Sequence, residues 1–156
     1  MPTINHIPIM QNEVVDYLIN DLNGTYVDCT IGFGGHSYEI LEKLNNKGFL
    51  IGIDLDPYAL NKAKEKLSGL NKQFSLHNIA YKDFPNILSS LKIKKVNGFL
   101  FDLGISSYQV DSSHRGFSFT KDGPLDMRFN QNTGISAKEL LHKISEKDLK
   151  KIIKVY

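Results

Sequence analysis

Residues 26–37 constrain the fold more than any other stretch. Tyr26-Val27-Asp28-Cys29-Thr30-Ile31-Gly32-Phe33-Gly34-Gly35-His36-Ser37 reads as a short apolar strand, a glycine turn and the start of a helix. Gly32, Gly34 and Gly35 leave the turn almost without side chains, so a ligand can lie against bare backbone. The helix that follows would aim its first N–H groups and its positive end at that ligand. Strand, glycine turn and helix start together make a nucleotide-type cofactor site; the plainer reading is a tight turn with no ligand.

The rest of the chain decides between them. Glu13 to Leu22 has Val14, Tyr17, Leu18 and Leu22 at helical spacing, and Asn23-Gly24 turns it into a first strand over residues 25–30. After the glycine turn, Ile40, Leu41 and Leu44 give the next helix one buried stripe. Residues 49–54, Phe-Leu-Ile-Gly-Ile-Asp, form a nearly continuous apolar run, as in a parallel strand buried on both faces. Asp56-Pro57 opens a third helix with N-cap and first-turn residues, and Leu60, Ala63 and Leu67 carry its stripe. Residues 73–77 form a weaker strand. Lys82 to Leu91 is predicted to be helical, burying Phe84, Ile87, Leu88 and Leu91. Lys92 to Lys95 is a basic turn, and Val96 to Asp102 a fourth strand.

Strand and helix alternate four times, which calls for a parallel sheet with helices on both faces. The fold class is therefore α/β and Rossmann-like. Ligands bind beyond the C-terminal ends of such strands. Gly32–Gly35, Asp54, the residues after His77, and Asp102 all fall there. Asp54 follows Gly34 by twenty positions, where a carboxylate can accept both hydroxyls of a ribose. The pattern Gly32-x-Gly34-x-x-Ser37 lacks the third glycine of the dinucleotide fingerprint, so a nucleoside without a pyrophosphate, such as S-adenosylmethionine, fits better than NAD. No glycine loop is followed by Lys-Ser or Lys-Thr, which excludes a Walker-type site.

Composition narrows the class. The 156 residues, 41% of them hydrophobic, suit one domain with a real core. No apolar run approaches the roughly 20 residues that span a membrane, and Met1 to His6 lacks the pattern of a secretory signal. The one cysteine, Cys29, cannot form an internal disulfide; it reads as a small buried residue in a cytoplasmic protein. The five histidines are scattered without metal-ligand spacing, and no metal site is predicted. A net charge of +2 does not by itself argue for nucleic acid. Of 19 cationic side chains, however, only Arg115 and Arg128 are arginines, and both fall in one stretch. Arginine should survive in a lysine-biased chain where its planar fork matters, as on a phosphate.

Residues 111–131 show no clear period and mix glycine, aromatics and charge. Such a loop is usually functional or disordered; Phe117, Phe119, Leu125 and Met127 are expected to be buried, which argues against disorder. Two helices follow. Ser136 and Glu139 form a capping box, and Ser145 to Asp148 a similar start before Leu149, Ile152, Ile153 and Tyr156. The chain ends inside that last pattern, so a fragment, or a helix needing a partner, is expected. The fourth strand is expected to be an open sheet edge.

These motifs together are recognisable. His6-Ile7-Pro8-Ile9-Met10, Asp28-x-Thr30-x-Gly32-x-Gly34-Gly35-His36-Ser37, Gly52-Ile53-Asp54-x-Asp56-Pro57, residues 101–107 (Phe-Asp-Leu-Gly-Ile-Ser-Ser), Arg115-Gly116-Phe117-Ser118-Phe119 and residues 122–128 span nearly the whole chain. The chain resembles the bacterial small-subunit ribosomal RNA (cytosine-N4) methyltransferase family, apparently an N-terminal part of it. That resemblance implies an S-adenosylmethionine-dependent methyltransferase fold, cytoplasmic, with small-subunit ribosomal RNA or the 30S particle as partner and no membrane. It implies cofactor contacts at Gly34, Gly35, His36, Asp54, Tyr81, Asp102 and Gln109. Family members carry phenylalanine where Tyr81 stands, and usually proline where Tyr108 stands. Residues 1–110 would form the cofactor domain, and 111–156 a substrate-facing loop and the start of a helical insert, with Arg115 and Arg128 on RNA phosphates. The target cytosine must leave its stack to present N4. Asp102, Asp122 and Asp126 stay open as acceptors of the amine's proton. The competing classes are an inactive cofactor- or RNA-binding fragment and an NAD-dependent oxidoreductase.

Overall fold

The computed structural model describes residues 8–155. The elements run α1 (Gln11–Leu18), β1 (Thr25–Asp28), α2 (Gly35–Lys43), β2 (Phe49–Ile53), α3 (Pro57–Leu67), β3 (Gln73–His77), α4 (Phe84–Ser90), β4 (Gly98–Leu100), α5 (Ser107–Asp111), α6 (Ala137–Lys143) and α7 (Glu146–Val155). They form two compact units, Met1–Leu103 and Gly104–Tyr156.

The first unit is the predicted α/β, Rossmann-like fold. Its four strands are all parallel, in the order β3-β2-β1-β4. β1 and β2 are central, which is why their residues are buried almost throughout, while β3 and β4 at the edges stay half-open. Alternate residues serve the two faces. Tyr26 and Leu50 pack with Val15, Ile40, Leu41, Leu44, Leu60, Ala63 and Leu67 from α1 to α3. Val27, Ile51 and Ile53 pack on the other face against Ile87 of α4, with Phe84 and Leu88 beside it. The chain thus reverses its winding between β1 and β4, which makes their C-terminal ends the switch point of the sheet.

Several boundaries differ from the sequence reading, each for a physical reason. α1 ends at Leu18 rather than Leu22, because the N–H groups of Asn20 and Asp21 turn to the Tyr26 hydroxyl at 3.1 and 3.0 Å. Val15 is its buried residue, and Tyr17 is 90% exposed. The predicted helix over 82–91 begins as a 3₁₀ turn over Tyr81–Asp83, and Leu91 is exposed. The fourth strand is a sheet edge, as expected, but pairs only over Gly98–Leu100.

In the second unit the capping box of α6 is present: Glu139 N–H donates to Ser136 Oγ and Ser136 N–H to Glu139 Oε2. At α7 the Asp148 N–H donates to Ser145 Oγ, and the Ser145 hydroxyl in turn donates to Asp148 Oδ2. The loop between α5 and α6 does not bury all its aromatics. Phe119 is fully exposed, and Leu125 and Met127 are nearly half-exposed. No helix among the described residues is long and apolar enough to cross a membrane. Ile7 and the residues before it, with Tyr156, lie outside the described residues, as do the expectations placed on them.

Candidate cofactor site

β1 ends at Asp28, and the chain then turns through Thr30, Gly32 and Gly34 into α2. Gly34 is the N-cap of α2, with φ 78°, and no side chain caps it. Two constraints fix glycine there: the left-handed backbone, and Ala63 of α3, whose Cα and Cβ would lie 3.3 Å from any added Cβ. At Gly32, φ is 51° and a Cβ would meet nothing nearer than 3.9 Å, so that side of the turn is open. Gly35 lies against Pro8, which a Cβ would strike.

The carboxylates hold this turn. Asp54, the residue after β2, accepts the Gly32 N–H on Oδ2 and the Asp56 N–H on Oδ1, both at 2.9 Å. A carboxylate offers about four acceptor positions, so these two leave room for hydroxyl groups. Burial pushes the Asp54 carboxyl above its usual value, and the Asp56 and Gly32 N–H groups pull it back. Asn78, just beyond β3, donates to the carbonyls of Asp54 and Leu55 and fixes the loop that carries the carboxylate. Asp102, beyond β4, is tied to the same turn: its N–H donates to Thr30 Oγ1 at 2.7 Å, and its carboxylate lies 3.9 Å from His36 Nδ1. The other ring nitrogen of His36 is 2.8 Å from the Ile9 carbonyl. Tyr81, half-exposed, meets Phe101 edge to face at 5.7 Å. Gly34, Gly35, His36, Asp54, Tyr81 and Asp102 are therefore brought to one rim of the sheet.

Asp28 is the residue that sequence reasoning located without giving it a role. It is 2% exposed. Its Oδ2 accepts the Ser37 hydroxyl at 2.7 Å and its Oδ1 the Thr30 N–H at 3.2 Å. Burial pushes its carboxyl up to about 6, against the pull of these two hydrogen bonds. Ser37, wholly buried, stands where a dinucleotide fingerprint has its third glycine. Its hydroxyl explains the departure: it staples α2 to β1 through Asp28. An acid inside an apolar strand, with a hydroxyl nine residues on, was the available signal. Cys29 is buried and its thiol is pushed up to about 11, which suits a packing residue.

Gln109 belongs to the second unit, where it is buried and forms a reciprocal capping box with Ser106 at the start of α5. The expectation for Arg115 is corrected. It is 2% exposed, and its guanidinium donates to the carbonyls of Arg128 and Phe129 at 3.0 and 2.8 Å. Arg128 grips Asp126 with two donors, Nε at 2.9 Å and a terminal nitrogen at 2.7 Å, and reaches the Gly134 carbonyl. The Arg128 hydrogen bonds hold the Asp126 carboxyl well below the usual range. Asp126 thus orders the loop, one of the two readings its sequence context left open. Both guanidinium groups donate to groups of the loop itself. Among the described residues no group of three His, Cys, Asp or Glu side chains is placed to hold a metal ion.

Comparison with known proteins shows the family of the chain. The model of the MraW methylase family matches residues 3–156. Ribosomal RNA small subunit methyltransferase H of Clostridium botulinum (strain Kyoto / Type A2) is 48% identical over 97% of this chain and 48% of its own length. The protein of that name from Mycoplasma mycoides is 44% identical over 97% of this chain and 49% of its own. The chain spans about half the length of the curated relatives it matches. Among solved structures, NSun6 from Pyrococcus horikoshii with SFG superposes with a TM-score of 0.46 at 25% identity, covering 60% of this chain and 23% of that one.

Proposed function

Because the chain belongs to the MraW methylase family, we propose that it binds S-adenosylmethionine at the rim formed by Gly34, Gly35, His36, Asp54, Tyr81 and Asp102. It serves the methylation of the exocyclic N4 amine of a cytosine in small-subunit ribosomal RNA. The 30S particle is its partner and the cytoplasm its location. The cofactor half is the first compact unit, and the second faces the RNA.

One observation carries the cofactor assignment: Asp54 and Asp102, from different strands, are both tied to the bare glycine turn. The bound cofactor supplies a sulfonium methyl group. Asp54 accepts ribose hydroxyls with the acceptor capacity its backbone donors leave. The open side of Gly32 admits the nucleoside, Tyr81 offers a ring face to the adenine, and Asp102 lies beside His36 where the methionine end would pass. Where the dinucleotide fingerprint has a third glycine for close helix–strand packing, this chain has Ser37, whose hydroxyl goes to Asp28.

A thermal-shift comparison tests this reading. S-adenosylmethionine should raise the melting temperature saturably, as any ligand of the native state does, while NADH leaves it unchanged. A shift with NADH alone would overturn it. Methyl transfer to cytosine N4 in small-subunit particles, measured with the chain and with its full-length relatives, tests the reaction itself.

A further inference from the structure

Arg115 donates to loop carbonyls and Arg128 to Asp126, and α7 carries a separate row of cations. Lys147, Lys150, Lys151 and Lys154 recur at i, i+3, i+4 and i+7 and are all exposed. At about 100° per residue they fall within an arc of about 100°, and over about 10 Å of helix axis. Leu149, Ile152 and Ile153 occupy the opposite arc. Lys150 pairs with Glu146 on the same helix, an exposed i,i+4 contact of little strength.

We propose that this lysine stripe of α7 is a docking surface for the phosphate backbone of RNA. The inference rests on the methyltransferase reading for the identity of the RNA, and it adds a surface that the site on the sheet does not contain. Four cations on one face of one helix complement a row of phosphates and carry no sequence information, which is the division of labour expected when base recognition happens elsewhere. Lysine suffices here because a phosphate row needs point charges, whereas Arg115 and Arg128 use their fork geometry inside the loop. A membrane-surface helix is the competing occupant. Such helices carry Trp, Phe and Leu on the apolar face; the apolar arc of α7 has no aromatic among its described residues.

The test uses the whole chain, a small-subunit ribosomal RNA transcript, and the triple variant Lys147→Gln/Lys151→Gln/Lys154→Gln. The paired Lys150 is left in place. Three phosphate contacts at a slope of about −0.7 each predict that the log–log salt dependence weakens by about two, and that affinity falls about a hundredfold near 0.1 M salt. The triple Lys→Arg variant should retain the wild-type affinity and slope, showing that the helix and its charge, not lysine as such, carry binding. An unchanged slope in the glutamine variant, or no RNA binding by the wild-type chain, overturns the proposal. So does a loss confined to anionic phosphatidylserine vesicles, which would assign the stripe to a membrane. S-adenosylmethionine binding, measured on the same samples, separates the two readings. An intact cofactor site with an unchanged RNA slope sinks the stripe alone. A lost slope in a chain that never binds the cofactor sinks the methyltransferase reading alone.

Discussion

Asp28 shows how a residue's position can be legible while its role is not. Its place at the end of an apolar strand is visible in the chain, but its partner Ser37 lies nine residues on, across a turn, and only the fold joins them. Burial raises the folded carboxyl from the ordinary 3.8 to about 6. The folded state therefore holds a proton that the unfolded state has released between those values. The resulting stability is fully present below about 3.8 and is lost as pH rises through about 6, a change of about 3 kcal/mol at 1.36 kcal/mol per pH unit. Asp28→Asn, which mimics the protonated form, should gain on the wild type by up to that amount between pH 4 and pH 7 in urea titrations. A constant difference across that range would show that Asp28 does not carry the effect. Arg115 is the converse case. Its rarity was a sound signal that the guanidinium matters, but a rigid fork fits backbone carbonyls as well as phosphates, and only the burial of Arg115 decides between them.

Elements were legible where the signal is local. The stripe Ile40-Leu41-Leu44, the Asp56-Pro57 start of α3 and the Ser136 capping box all appear where the chain places them. The end of α1 was not legible, because a hydroxyl on the following strand imposes it. α4 ends in a way that spacing alone does not reveal. Lys92 N–H bonds to the Ser89 carbonyl at 3.1 Å and Ile93 N–H to the Leu88 carbonyl at 2.9 Å, a Schellman closure with Lys92 in the left-handed region at φ 57°. A lysine there costs about 1–2 kcal/mol of backbone strain, part of which glycine regains after its own entropy cost. Lys92→Gly should raise the unfolding free energy by roughly 0.5–1 kcal/mol. A fall in the urea midpoint at unchanged slope would contradict this account of the helix end. Phe119 marks the limit in the other direction, since an aromatic in an aperiodic loop was expected inside and lies fully outside.

At the scale of the whole chain, alternation of strand and helix gave the parallel sheet, and the short apolar strand before the glycine turn and the nearly continuous apolar run over residues 49–54 became its two central strands. Strand order was not in the sequence. It matters because β1 and β4, successive in space though not in the chain, put the glycine turn and Asp102 side by side at the switch point, while β2 brings Asp54 to the same turn. The central claim is that separate strand ends form one binding rim, so the decisive measurement is a titration of the isotope-labelled chain with S-adenosylmethionine, followed by backbone amide chemical shifts. Saturable shifts should converge on Gly32, Gly34, His36, Asp54, Tyr81 and Asp102 together. Saturable shifts that leave those amides unmoved, or no saturable shift at all, would contradict the account.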